Sequence, residues 1–278
     1  MTKWKKALYF RQPYADNYSG GDEQFLKELK KNVSVVSYTY KEAVIGSANF
    51  MFHISSVALF YALYENVQEH NFFDVTIVNS FICLFVTLYI IFIVFLTQTK
   101  VDFVDHAYTV FTLFSFGYAL TPIIRTLTDT ISTDTIYAFS FLSALISCIF
   151  HDYGLNAPIV SFPLSLSSGL CSAIFLLSRM KENSPAFMML SIAFVLHACS
   201  STFRNSLFVK FPHVGFLISI SLGVSVTKLV YDLSYPELSI IFFLLYVFVL
   251  LICPLILVQK QKQKRNIHGP WDEAVPTR

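Results

Sequence analysis

Charge is scarce in this sequence: only 14% of its 278 residues are Asp, Glu, Lys or Arg, against 55% hydrophobic residues. Soluble domains carry about 25% charged residues, so a water-soluble enzyme is excluded at the outset. Signatures of catalysis and nucleotide binding are missing too. No H-E-x-x-H, G-x-S-x-G, G-x-x-x-x-G-K-S/T or G-x-G-x-x-G occurs, which removes the zinc-protease, serine-hydrolase, P-loop and Rossmann chemistries that those spacings build. Tyr231-Asp232 has half of an intramembrane aspartyl protease signature, without the G-x-G-D half. The seven histidines are dispersed singly, and the five cysteines (Cys83, Cys148, Cys171, Cys199, Cys253) contain no C-x-x-C pair. Neither a zinc site nor a disulfide framework is expected, and each cysteine reads as a small buried hydrophobe. No metal or other cofactor is expected. A cleavable signal peptide and a C-terminal lipidation motif are likewise not expected, since the chain starts Met1-Thr2-Lys3-Trp4-Lys5-Lys6 and stays polar up to the first apolar block.

What is abundant is long apolar sequence. Blocks lie at 44–64, 75–97, 106–124, 134–150, 155–178, 185–202, 213–230 and 238–258, each close to the roughly 20 residues an α-helix needs to cross a bilayer. Hydrocarbon leaves backbone groups no partner but the chain itself, so such blocks are helices, and they are too long and uniformly apolar for barrel strands. The expected fold is all-α: a polytopic membrane bundle of about eight transmembrane helices with short loops. The domain plan is a cytoplasmic N-terminal arm (1–43), an eight-span bundle (44–258) and a basic cytoplasmic tail (259–278). Within the arm, residues 22–31 (DEQFLKELKK) read as a short amphipathic helix, acidic at its start and basic at its end. That helix is either a solvated cap or an interfacial element lying on the bilayer or a partner.

The charge that exists is segregated. Net charge is +2 overall, but residues 1–43 and 259–278 together carry +6 and the middle −4. Basic flanks mark the cytoplasmic side, so both termini are expected there, which requires an even number of spans. The acidic loop 65–74, with Glu65, Glu69 and Asp74, suits the opposite face, whereas Arg179 and Lys181 conflict mildly with it. The sequons at Asn17 and Asn32 then lie in the cytoplasm and stay unglycosylated. No internal repeat of matching polar residues is apparent, which lowers the case for an inverted-repeat transporter.

Several features could carry function. Two ladders of small residues recur every four positions: Ala157, Ser161, Ser165, Gly169 and Ala173, and again Gly215, Ser219, Gly223 and Thr227. Residues four apart share a helix face, and small side chains let backbones approach in lipid, so both read as helix-packing seams. The stretch from Pro122 to Thr135 holds Arg125, Thr126, Thr128, Asp129, Thr130, Ser132, Thr133 and Asp134. Those groups either cap two helix ends or contact a lipid headgroup or partner, with Arg125, Thr128, Asp129, Ser132, Thr133 and Asp134 as the candidates. His151-Asp152 invites a catalytic reading, but with Tyr153-Gly154 it is also an ordinary tight connection between helices. His53, Asn79 and His197 fall inside spans, where polar groups are functional candidates by default; no ionisable partner sits at a helical spacing from them, which favours packing hydrogen bonds. After the last span, Lys260, Lys262, Lys264 and Arg265 place four charges in six residues, either as a stop-transfer anchor or against anionic lipid. His268, Trp271 and Asp272 follow, in a Gly-Pro turn with a Trp that suggests docking.

That tail, Asn266-Ile267-His268-Gly269-Pro270-Trp271-Asp272-Glu273-Ala274, closely resembles the C-terminal signature of the C-subunit family of phosphatidylinositol N-acetylglucosaminyltransferase, the complex that starts glycosylphosphatidylinositol (GPI) anchor biosynthesis. Trp4-Lys5, Leu8 to Tyr18, Phe25 to Asn32, Ser132 to Ala138, Asp152-Tyr153-Gly154, Asn156-Ala157 and Ser165-Leu166-Ser167 extend the resemblance nearly end to end. His151 stands where the family is expected to have an aromatic residue, which weakens a catalytic role for it. The resemblance implies a multi-pass endoplasmic reticulum protein inside a glycosyltransferase complex that moves N-acetylglucosamine from UDP-N-acetylglucosamine to phosphatidylinositol. It places the nucleotide-sugar chemistry on a separate catalytic A subunit and supplies no catalytic residue here. The expected partners are therefore the other subunits and membrane lipid, including phosphatidylinositol, with no nucleic acid. The alternative is a multi-pass lipid or small-molecule transporter using the 125–135 loop and the intramembrane histidines.

Overall fold

A computed structural model describes residues 11–15, 18, 26–27, 29–31, 38–70, 103–153, 161–261, 263 and 267–268. The second expected block, 75–97, with Asn79, lies outside the described residues. So do Ala157, Lys262, Lys264, Arg265, Trp271 and Asp272.

The chain divides into two compact units. The smaller joins residues 1–43 to residues 255–278. In it Leu26 and Lys27 are helical, and β1 (Lys30–Lys31) pairs antiparallel with β2 (Ile267–His268), Lys30 opposite His268 and Lys31 opposite Ile267. The backbone of the N-terminal arm is thus tied to the backbone of the tail.

The larger unit, Val44–Pro254, is helical among its described residues. Helix α1 runs Tyr40–His70, α2 Phe103–Thr126, α3 Thr133–Phe150 and α4 Phe162–Leu177. Next comes α5 (Asn183–Phe194), which passes through a π turn (Val195–Cys199) directly into α6 (Ser200–Lys210). Then follow α7 (Pro212–Asp232) and α8 (Pro236–Val247), the latter continuing through a second π turn (Phe248–Ile252) into α9 (Cys253–Gln261). Local chemistry sets the ends. The Ser132 hydroxyl caps the first turn of α3 by accepting from the Thr135 N–H. Pro163, Pro212 and Pro236 open α4, α7 and α8, where a missing N–H costs nothing. Ser234, at φ 66°, turns the chain between α7 and α8.

Five helical segments are both long and apolar enough to cross a membrane: 40–68, 133–150, 183–210, 212–232 and 236–261. The block 155–178 appears as the shorter α4, and 106–124 lies within α2, which is 24 residues long. The third-to-last span differs from its expected bounds. Hydropathy ends it at 202, before Arg204, but the helix continues to Lys210. An apolar run stops at an arginine; the helix does not, because the bundle interior receives the side chain.

Helix α1 is the central element. Phe60 and Tyr64 pack with Leu176, Leu177, Met189 and Ile192 of α4 and α5, Ala58 and Ala62 with Val226 and Val230 of α7, and Met51 with Tyr246 and Val249 of the last span. Half of its most apolar stretch is buried, against 17% for the last span. The outward surface is apolar: Phe111 is 71% exposed, Phe116 66% and Ile240 60%. The inward surface holds His53, His151, His197, Arg204 and many serines and threonines. An apolar exterior around an interior that mixes apolar clusters with buried polar groups fits a hydrocarbon surround.

Candidate functional site

The inward-facing polar groups are concentrated at one junction of α1, α3, α4 and α6. Asn49, Phe52 and His53 come from consecutive turns of α1, and Ser147 and His151 from the last turn and cap of α3. Ser165 and Gly169 come from α4, while His197 lies in the π turn and Ser201 and Arg204 follow on α6. The π turn holds an extra residue relative to an α-helical turn, which rotates the helix after it and sets which side Ser201 and Arg204 present. Both reach His151: Arg204 Nη2 donates to His151 Nε2, and Ser201 Oγ lies 3.5 Å from the same nitrogen.

Because a guanidinium only donates, that contact fixes the tautomer: His151 carries its proton on Nδ1. It donates to Ser165 Oγ at 2.8 Å, and Ser165 Oγ donates to the Ser147 carbonyl at 2.9 Å. Ser147 Oγ donates in turn to the Ser165 carbonyl at 2.8 Å, which leaves it to accept from His53 Nε2 at 3.4 Å. The His53 and His151 rings stack at 3.9 Å and 15°. Burial, helped by the charge of Arg204 and by His197, pushes His151 down to about 3, so at neutral pH it is an uncharged acceptor. Burial likewise raises the Tyr153 phenol, whose Oη donates to the Cys148 carbonyl at 2.7 Å.

Arg204 is the unusual member. It is 0% exposed, its guanidinium lies 5.7 Å from the Phe52 ring centre, and its Nε and Nη1 have no hydrogen-bond partner among the described residues. The Asn49 Oδ1, Asn205 Oδ1 and His197 Nδ1 atoms are buried and likewise unpartnered among the described residues. A buried donor left unpaired costs about 1–3 kcal/mol, more when charged. Such a cluster reduces stability unless it binds something.

Two further polar nodes continue along the same helices. Tyr61 Oη lies 2.6 Å from Ser140 Oγ and 2.9 Å from Ser172 Oγ, joining α1, α3 and α4. At the 125–135 connection, Arg179 Nη2 donates to the carbonyls of Thr128 (2.8 Å) and Ile131 (2.6 Å), and Thr128 Oγ1 donates to Ser178 Oγ at 2.7 Å. Arg125 Nε donates to the Met180 carbonyl at 3.0 Å, and its Nη1 and Nη2 reach Asn183 Oδ1 and the Lys181 carbonyl. Two arginines therefore clamp this connection to the α4–α5 turn.

Of the residues singled out in sequence, Arg125 and Thr128 face their own chain and Ser132 caps α3, while Asp129, Thr133 and Asp134 are exposed. Ser165, Gly169 and Ala173 are buried in α4, as are Gly215, Ser219 and Gly223 in α7; Ser161 and Thr227 are half-buried. Lys260 is exposed, with Nζ donating to Gln263 Oε1 at 3.2 Å. The backbone of His268 lies in β2. The structure brings His53, His151 and His197 together, partners that no spacing within one helix could reveal. Sequence reasoning missed Arg204. Its signal was available: an arginine that lies seven residues after His197 and only two residues beyond the end of an apolar block.

A bundle with inward-facing polar groups, an apolar exterior and at least five membrane-length helices is a multi-pass membrane protein. A family model described as phosphatidylinositol N-acetylglucosaminyltransferase matches residues 4–272, and the chain belongs to that family. Its relatives include a Homo sapiens protein named as the C subunit of phosphatidylinositol N-acetylglucosaminyltransferase, 32% identical over 281 residues that cover 98% of this chain and 93% of the relative. A Schizosaccharomyces pombe protein named phosphatidylinositol N-acetylglucosaminyltransferase GPI2 subunit is 26% identical over 282 residues, 98% of this chain and 86% of the relative. No solved structure matches.

Proposed function

We propose that this chain is a non-catalytic membrane subunit of the complex that transfers N-acetylglucosamine from UDP-N-acetylglucosamine to phosphatidylinositol, the first step of GPI-anchor biosynthesis. The observation that carries this reading is the family match across residues 4–272, which leaves almost no part of the chain for another role. The chemistry of the chain agrees with it. Among the described residues many of the buried polar side chains hydrogen-bond between helices. The segments outside the apolar blocks are too short for a nucleotide-binding α/β domain. The nucleotide sugar is then handled by another subunit, the catalytic A subunit, and this chain holds the assembly together and presents phosphatidylinositol.

The reading includes an endoplasmic reticulum location, eight spans and both termini in the cytoplasm, supported by the basic ends of the sequence. It also assigns contact with lipid or partners to the exposed edge Asp129, Ser132, Thr133 and Asp134 and to Lys260, Lys262, Lys264, Arg265, His268, Trp271 and Asp272 of the tail. No observation favours the transporter reading.

The test is depletion of the chain followed by assay of microsomes with radiolabelled UDP-N-acetylglucosamine, together with affinity purification of the tagged full chain. Loss of N-acetylglucosaminyl-phosphatidylinositol synthesis, and recovery of transferase activity with the purified assembly, are expected. Normal synthesis after depletion rules the reading out.

A further inference from the structure

Helix α7 packs into the bundle through one side. Val226 and Val230 meet Ala58 and Ala62 of α1, and the Thr227 carbonyl accepts from Ser239 Oγ of α8 at 3.0 Å. A Cβ at Gly223 would run into Met51 and Tyr246, and one at Gly215 into the Phe208 ring. Two residues along a helix turn a side chain by about 200°. Leu217, Ser221 and Ser225 therefore lie opposite Gly215, Ser219 and Gly223, and Lys228 lies opposite Val226. All four of these outward residues are exposed. The outer face of a helix long and apolar enough to cross a membrane thus carries two hydroxyls and a cation.

The cation is out of place on a face turned to lipid. Among the described residues, every other exposed charged residue on the five membrane-length segments lies within two residues of a segment end, whereas Lys228 lies a full turn inside α7. Its Cα is about 9 Å from the helix midpoint, within the roughly 15 Å half-thickness of the hydrocarbon. The nearer interface is at Asp232, but Cα–Cβ bonds tilt towards the helix N-terminus, which starts the lysine chain over the preceding turn, towards the bilayer middle. Neither Lys228 nor Asp232 has a hydrogen bond or ion pair among the described residues. Ser225 Oγ donates to the Ser221 carbonyl at 2.8 Å and Ser221 Oγ to the Ile218 carbonyl at 2.9 Å, so both hydroxyl oxygens stay open as acceptors.

We infer that this face of α7 docks a membrane-spanning helix of another chain, one that carries an Asp or Glu side chain level with Lys228. Charge decides the kind of partner. A second copy of this chain, related by a two-fold axis along the membrane normal, sets Lys228 against Lys228, like charge against like. Lipid tails leave the ammonium without a partner, and the nearer headgroups lie on the side from which its Cα–Cβ bond points away. A carboxylate on a neighbouring helix meets it at its own depth, as charged residues within spans pair with one another. Ser221 and Ser225 then let the two backbones approach closely. The identity of the partner rests on the subunit reading above, on which that helix belongs to another subunit of the transferase complex.

The experiment places the photo-crosslinking residue p-benzoylphenylalanine at Ser221 or Ser225 of the full chain in its assembled complex, irradiates native membranes and sequences the crosslinked peptides. Both positions are expected to join one membrane-spanning segment of another chain, with an Asp or Glu within one turn of the level of Lys228. Adducts with lipid alone, with a second copy of this chain, or with a segment that has no carboxylate overturn the proposal. Lys228→Leu is expected to lower the crosslink yield roughly fivefold, the scale of one polar contact between helices in a membrane, and Lys228→Arg to preserve it; equal yield with leucine overturns the charge pairing. Should Lys228→Leu lower the unfolding midpoint of the chain itself, a charge exchange decides. Lys228→Glu is expected to lose the crosslink and lysine in place of the partner's carboxylate to restore it, and failure to restore it overturns the pairing. An assembly that gives the crosslink but no transferase activity overturns the subunit reading and leaves the docking face. An active assembly that gives only lipid adducts overturns the face and leaves the reading.

Discussion

Gly169 stands where the small-residue ladder of α4 crosses the histidine junction. A Cβ at this position would meet His197 Nδ1 at 2.7 Å and Ser147 Oγ at 3.1 Å, so even a methyl group forces the junction to shift. Gly169→Val is expected to destabilise the fold by about 1–3 kcal/mol, as overpacking does, seen as a lower thermal unfolding midpoint in detergent. A midpoint equal to wild type would show that the seam is looser than these distances. His151 carries a pH dependence whose sign is fixed. Its folded value is lowered to about 3, while an unfolded histidine titrates near about 6.5. Its contribution to stability is therefore complete above the unfolded value and is lost as pH falls from there towards the folded one. Between about pH 6.5 and about pH 4.5, wild-type stability is expected to fall with a slope approaching about 1.4 kcal/mol per pH unit from this group, and His151→Gln to flatten that slope. Unfolding midpoints measured across the range, with identical slopes in both proteins, would refute the assignment.

Among the elements, the π turn at Val195–Cys199 matters most, because it sets the direction of Arg204. Deleting Ala198 returns the segment towards regular α-helix and turns α6 by about 100°, carrying Ser201 and Arg204 off His151. The expected result is a loss of stability at least as large as that of Arg204→Gln, since the buried cation then loses its His151 partner; wild-type stability in the deletion variant would count against it. The connection between α2 and α3 is held in a different way. Arg179 spans it with two bonds to carbonyls, and Arg179→Ala is expected to speed amide hydrogen exchange over residues 127–132 about tenfold or more. Unchanged exchange would mean that Arg125 alone holds the turn. This use of Arg179 also gives a physical reason for its conflict with the charge rule: a side chain spent on its own chain's carbonyls weighs little as a topological signal. The same elements show what was legible in sequence. The α4 and α7 ladders could be read because helical spacing alone places their members on one face, and Ser132 could be read as a cap because capping is local. The junction could not, because His53, His151 and Arg204 come from three different helices.

At the scale of the whole molecule, orientation is the property most directly testable. On the proposed orientation, with both ends in the cytoplasm, the sequons at Asn17 and Asn32 are expected to stay unmodified in microsomes, with endoglycosidase treatment leaving the mobility of the chain unchanged; a shift would overturn the orientation. Sequence by itself determined the solvent. Fourteen per cent charge and eight apolar blocks leave no soluble core to build, and hydrocarbon admits only helices whose backbone groups pair internally. It also determined the family, since the tail and N-terminal motifs are local strings that need no fold to be recognised. Tertiary structure decided which of the few polar groups meet. An apolar block ends, for hydropathy, at the first arginine, yet Arg204 lies inside the bundle, because a buried cation is governed by what neighbouring helices place around it rather than by its own segment. The pairing of β1 with β2 was equally out of reach: two-residue strands so far apart in the chain carry no periodicity, and only the folded backbone shows that they meet.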